Sequence, residues 1–135
     1  MNSSRPWFGA ALLVLASPCT AQSITSVDEQ ACAPNEGAVH VAPLYSDSTC
    51  SSFLICIDTE VKTHLHRVHT EHVFVLDGEG MMRLGDLERP VKTGDTIVIP
   101  AGTPHGVRVT SRKPLRVVSV QSPRFDGSDR VFLEP

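Results

Sequence analysis

The chain has 135 residues, room for one domain with a single core and little for a second. With 12 basic against 15 acidic side chains the formal net charge is −3, which offers nothing to attract nucleic acid or an anionic membrane. Function has to be sought in local motifs.

The opening MNSSRPWFGAALLVLASPCTAQS places Arg5 ahead of an apolar run from Trp7 to Ala16, followed by the small-residue stretch Cys19-Thr20-Ala21. This reads as a secretory signal over residues 1–21. A membrane span needs about 20 apolar residues, roughly twice the run present, so no span is expected. Pro18 stands where a lipid-modified cysteine would be preceded by Gly, Ala or Ser, which argues against that reading of Cys19. The expected mature chain is therefore secreted or periplasmic. Cleavage leaves Cys32, Cys50 and Cys56, and an odd number in an oxidising compartment is most simply one disulfide plus one thiol. Cys50 and Cys56 flank a strand start and, if extended, would stand ~20 Å apart, beyond bridging range. Cys32 is left to pair with Cys50 or Cys56, and Cys32–Cys50 is the pair put forward.

Residues 22–51, rich in Ser, Asp, Pro and Ala, read as an irregular strap holding a short strand at Ala38 to Ala42. From Ser52 onward, short apolar or alternating runs recur: SFLICID, EVKTHLHRV, EHVFVLDG, MMRLG, DTIVIP, HGVRVT and LRVVSVQ. Turn material separates them, such as Asp77-Gly78-Glu79-Gly80, Thr93-Gly94-Asp95 and Pro100-Ala101-Gly102. Enrichment in Val and Ile, with no helix-length 3.6-residue period, predicts an all-β domain over residues 52–122, a small barrel or double-sheet jelly roll. Residues 123–135 then form a closing strap.

The stretch THLHRVHTEH, residues 63–72, carries the densest chemistry. Side chains alternate along a strand, so His64 and His66 share a face and can aim two imidazoles at one point. A tight turn over Arg67 to Thr70 leads to Glu71, which shares a face with Val73 and Val75 and opposes His72, Phe74 and Leu76. Either face of that strand could be the inner one on parity alone. If Glu71 joins the two histidines, Val73 and Val75 turn inward.

The spacing His64-Leu65-His66, four residues, Glu71, six residues, Gly78 resembles the first motif of the cupin family. Gly94, Pro100, Gly102 and His105 resemble the second. Asp58 and Val109 depart from the family's Gly and Asn at the outer ends of the two motifs, and neither position is a metal ligand in cupins. The resemblance spans roughly residues 52 to 122. It implies a double-stranded β-helix, the small jelly-roll barrel, with a divalent metal held by His64, His66, Glu71 and His105. A homodimer joined through edge strands is a further family expectation.

Three imidazoles and one carboxylate suit Fe, Mn, Ni, Co, Cu or Zn and are poor ligands for Mg or Ca. An octahedral ion would keep two positions open, and the formal +1 left on a divalent ion favours an anionic, oxygen-bearing ligand. A metalloenzyme acting on a small molecule is the leading reading, dioxygenase chemistry ranking ahead of lyase, decarboxylase or isomerase chemistry. Glu71, if unliganded, could serve as general base. A sugar- or small-molecule-binding cupin without turnover is the alternative, and a structural zinc would require a closed site with no room beside the ion. Lys62, Arg83, Met81 and Gln121 are candidate substrate contacts, with Met81 and Met82 alternating so that one of the pair faces inward. His69 and His72 read as solvated or packed residues, and Asp126, Asp129 and Arg130 as turn formers and surface ion pairs.

Overall fold

The computed structural model describes residues 23–32 and 38–133. The expected signal segment lies outside them. The described chain is all β: β1 (Val39–Ser46), β2 (Ser51–Ile57), β3 (Glu60–His66), β4 (Thr70–Asp77), β5 (Glu79–Leu84), β6 (Leu87–Lys92), β7 (Thr96–Ile99), β8 (His105–Val109), β9 (Leu115–Ser122) and β10 (Arg130–Phe132). They form two five-stranded sheets, ordered β1-β2-β9-β4-β7 and β10-β3-β8-β5-β6. Every pairing is antiparallel.

Period-two alternation builds the interior. Ile57 on β2, Val75 on β4 and Leu115 and Val117 on β9 form the buried cluster of the first sheet, with Val61 and Val107 of the second packed against it. Val73 and Val75 are thus on the inner face, while His72 and Phe74 are exposed.

The outer face of β2 is also covered, since Leu54 and Cys56 are 1% and 2% exposed although they alternate away from Ile55 and Ile57. The cover is the N-terminal segment. Arg116 Nη2 donates to the Val27 carbonyl at 2.7 Å, and Cys32 forms a disulfide with Cys56, Cα to Cα 5.7 Å. The expected Cys32–Cys50 pair is therefore corrected. Cys50 is free and belongs to the β1–β2 turn, its amide bonded to Asp47 Oδ1, at the far end of β2 from the face on which Cys32 lies.

Three elements depart from the sequence reading. The short strand at 38–42 is an eight-residue β1 that completes the first sheet. LERPVK forms β6, lacking alternation and containing Pro90, which an edge strand tolerates because only one side of it pairs. The closing strap contains β10, three residues that extend the second sheet beside β3.

Candidate metal centre

The second sheet supplies the histidines and the first supplies the carboxylate. His64 and His66 end β3, and His105 opens β8 directly across from His64. A register shift between Val61 and His64 turns both imidazoles inward, and it presses the β3 backbone onto β8. Gly106 makes that approach possible, since a Cβ there would sit 2.8 Å from the Val61 carbonyl oxygen. Upstream, Thr103 N bonds Pro100 O at 3.1 Å, closing a turn with Gly102 at φ 77°, and Gly102 N donates to His66 O at 2.6 Å. The positive φ needed at the turn's third position explains the glycine of the second motif.

All four proposed donors are buried, with exposures of 4% for His64, 2% for His66, 6% for Glu71 and 4% for His105. Ring nitrogens of the three histidines lie within 4.8 Å of one another. Glu71 Oε2 stands 3.3 Å from His105 Nε2 and 3.7 Å from His66 Nε2.

The tautomers follow from the outer contacts. His64 Nδ1 faces the Lys62 carbonyl at 2.8 Å and His105 Nδ1 the Thr103 carbonyl at 2.9 Å. A carbonyl can only accept, so both Nδ1 atoms carry the hydrogen and both Nε2 atoms keep their lone pairs. His66 Nδ1 is oriented likewise by Asp129 Oδ1 at 3.3 Å. The Nε2 atoms of His66 and His105 are buried without a hydrogen-bond partner. Lone pairs and a carboxylate oxygen converge, an arrangement that is repulsive until a positive charge sits among them. The donor set fits a divalent transition metal on these grounds.

Burial pushes His64 down to about 4 and lowers His66 as well, so neutral, ligand-competent imidazoles are favoured. Burial alone would raise Glu71. Hydrogen bonding, the Ser119 hydroxyl on Oε1 included, outweighs it and keeps the carboxyl below its usual range. Ser119 Oγ donates to Glu71 Oε1, and Gln121 Nε2 reaches the same oxygen at 3.4 Å, leaving Oε2 for the centre.

A cavity of about 320 Å³ opens beside His64, Glu71 and His105. Lys62 lines it. Met81 does not: it opposes Arg108 on the outer face, whereas Met82, opposite Val107, faces inward and is 8% exposed. By the same alternation Arg83 points outward, where it is exposed and its Nε bonds Gly85 O at 3.4 Å. Gln121 sits behind Glu71 and not in the cavity wall.

Contributors whose place the sequence reading did not find include Asp129, His69 and Arg130. Asp129 is no surface turn residue: besides His66 it accepts from His69 Nδ1 and from Val68 N at 3.1 Å, and these contacts, opposing burial, hold it at about 2. His69 is buried between Asp129 and the Arg124 carbonyl, 2.7 Å from its Nε2. Arg130 lines the cavity. His72, exposed on the outer face, takes no part.

The Cupin domain family model matches residues 54–121, half of the chain. An uncharacterized protein of Aquifex aeolicus is 33% identical over 96 residues, covering 71% of this chain and 78% of that one. Another from Methanocaldococcus jannaschii is 31% identical over 81 residues, 60% of this chain, which spans only 65% of that relative's length. Among solved structures, a Klebsiella pneumoniae protein with a double-stranded β-helix domain superposes with a TM-score of 0.73 at 22% identity, covering 84% of this chain and 99% of that one. The Streptomyces nucleoside dehydratase Pac13 superposes with a TM-score of 0.67 at 15% identity, covering 84% and 92%. At those identities the two structures speak to the fold alone. With the family model spanning the barrel and its donor set, the chain belongs to the cupin family.

Proposed function

We propose that this cupin is an exported metalloenzyme that transforms a small, largely apolar molecule bearing an oxygen donor, with dioxygenase-type chemistry ranked first. The observation that carries the reading is the cavity wall. Apart from Glu60, Lys62, Arg130 and the donors His64, Glu71 and His105, every described lining side chain is aliphatic, methionine or phenylalanine, or the residue is glycine. Among the described residues no hydroxyl or amide side chain lines it, so a sugar would leave most of its hydroxyls against apolar wall, which disfavours the sugar-binding alternative. Open space beside the donors disfavours a closed structural zinc. Lyase chemistry comes second. Pac13 is a dehydratase on this fold, but a nucleoside's ribose would meet an apolar wall here.

A bound transition metal would supply Lewis acidity and, as iron or manganese, electron transfer to dioxygen. The chain's own residues do the rest. The Lys62 and Thr103 carbonyls and Asp129 hold three rings in one tautomer and orientation. Ser119 and Gln121 pin one oxygen of Glu71, and its ionised state lets the other act as ligand or accept a proton from an acidic substrate hydroxyl. The aliphatic wall excludes water from the reacting end of the substrate. Export is supported by the leader pattern and by the Cys32–Cys56 disulfide.

The test is oxygen uptake by metal-loaded protein across catechols, flavonols and thiol acids. The reading predicts uptake with at least one class, both atoms of isotopically labelled dioxygen entering the product, and loss in His105→Ala. Thermal stabilisation by small ligands with no product from any of them would assign a binding role instead.

A further inference from the structure

We propose that the mouth of the cavity is a carboxylate subsite built by Arg130 and Lys62, so that the ligand is a small apolar carboxylic acid held by its anionic end. This rests on the reading above for where the rest of the molecule goes.

The placement follows from strand register. β10 pairs antiparallel with β3, Arg130 opposite His66 and Phe132 opposite His64. Directly opposed residues share a face, so Arg130 and Phe132 look the same way as the two buried imidazoles. They do so at the edge of the sheet, where both are exposed and both line the cavity. The Phe132 ring is 5.8 Å from that of His64. The Arg130 guanidinium lies over the Phe125 ring, 5.3 Å from its centroid. That contact restrains the cation without neutralising it, and leaves its N–H edges available to a planar two-oxygen anion. Lys62 lines the same space from β3.

The cations at the mouth are not locked in ion pairs. Among the described residues neither Arg130 nor Lys62 is ion-paired with a carboxylate. Among the described residues Glu60 is the one lining acid outside the metal centre, its strand position opposite that of Arg108, and it is ion-paired with neither Lys62 nor Arg130. Exposed cations at the mouth, an aliphatic wall and buried donors at depth form a gradient that matches an amphipathic anion. A ligand amine would be repelled, and a neutral polar end would gain little.

The probes are phenylpropanoate and phenylpropanamide, of one shape and differing in charge, titrated calorimetrically into protein with and without its metal. The subsite predicts that the carboxylate binds about tenfold more tightly than the amide in both forms, the worth of one charge-assisted contact. Arg130→Gln and Lys62→Met should each reduce the preference and together abolish it, with amide affinity and metal content unchanged. Arg83→Gln, on the outer face, should preserve it. Equal affinities in the wild type, or a preference surviving the double substitution, would overturn the subsite. A preference that vanishes on metal removal would assign the carboxylate to the metal and also overturn it, leaving the proposed enzyme intact. Absence of oxygen uptake beside an intact preference would sink only the dioxygenase reading.

Discussion

Asp129 orients His66 with one oxygen and His69 with the other, and takes the Val68 amide as well. Such carboxylates behind a metal-binding imidazole fix its tautomer and strengthen it as a donor. Asp129→Asn should weaken metal affinity about tenfold in a competitive chelator titration, since an amide oxygen cannot serve both rings as a charged acceptor. An unchanged affinity would leave Asp129 a purely structural link. His64 gives a pH dependence in the metal-free protein. Its folded value is about 4 against 6.5 unfolded, so between these pH values the unfolded chain binds a proton that the folded chain refuses. The stability tied to neutral His64 is complete above pH 6.5 and drains away as pH falls toward 4. Denaturation midpoints should fall less steeply across that window in His64→Gln than in the wild type. The donors were legible because His64, His66 and Glu71 are spaced across two strands and a turn, and His105 closes a second spaced motif. Ser119 was not singled out, although it left a trace: in LRVVSVQ the positions sharing Leu115's face run Leu, Val, Ser, Gln, and polar residues on an inward face need a buried partner. Asp129 left none, because it lies 63 residues from His66 and only β10 pairing brings the two together.

At the scale of elements, the irregularity in β3 is the decisive feature. The extra residue between Val61 and His64 is accommodated only because Gly106 offers no Cβ to the approaching backbone, the Val61 oxygen and the Thr63 Cα lying 2.8 and 3.2 Å from where one would be. Backbone cannot step aside as a flexible side chain can. Gly106→Ala should cost about 1–3 kcal/mol in urea denaturation, in the range of overpacking substitutions, and should lower metal occupancy by displacing His105. Val98→Ala on the exposed outer face should stay within about 0.5 kcal/mol, and a cost as large as that of Gly106→Ala would mean that the outer face is packed. Strict alternation could not have located this shift, since a bulge changes parity without a sequence signature of its own. β6 was hidden for a different reason, because an edge strand exposed everywhere but at Val91 has no alternating apolar face to reveal it.

For the molecule as a whole, the recurring five-residue runs and their turns were enough to read a jelly roll, and two spaced motifs were enough to read the family. The cavity's charged mouth was not, because it joins β3 to a strand in the closing strap. The centre unites the two sheets: Glu71 comes from one and His64, His66 and His105 from the other. A cation there would be a cross-link between layers as well as a reagent, so its presence or absence decides the account. The most direct measurement is elemental analysis of wild type and His105→Ala after equilibration with Fe, Mn, Ni, Co, Cu or Zn and removal of loose ions. The account predicts about one transition-metal ion per wild-type chain and almost none in the variant, whose β-sheet circular dichroism persists. A wild type that retains no ion, or a variant that retains as much, would contradict it.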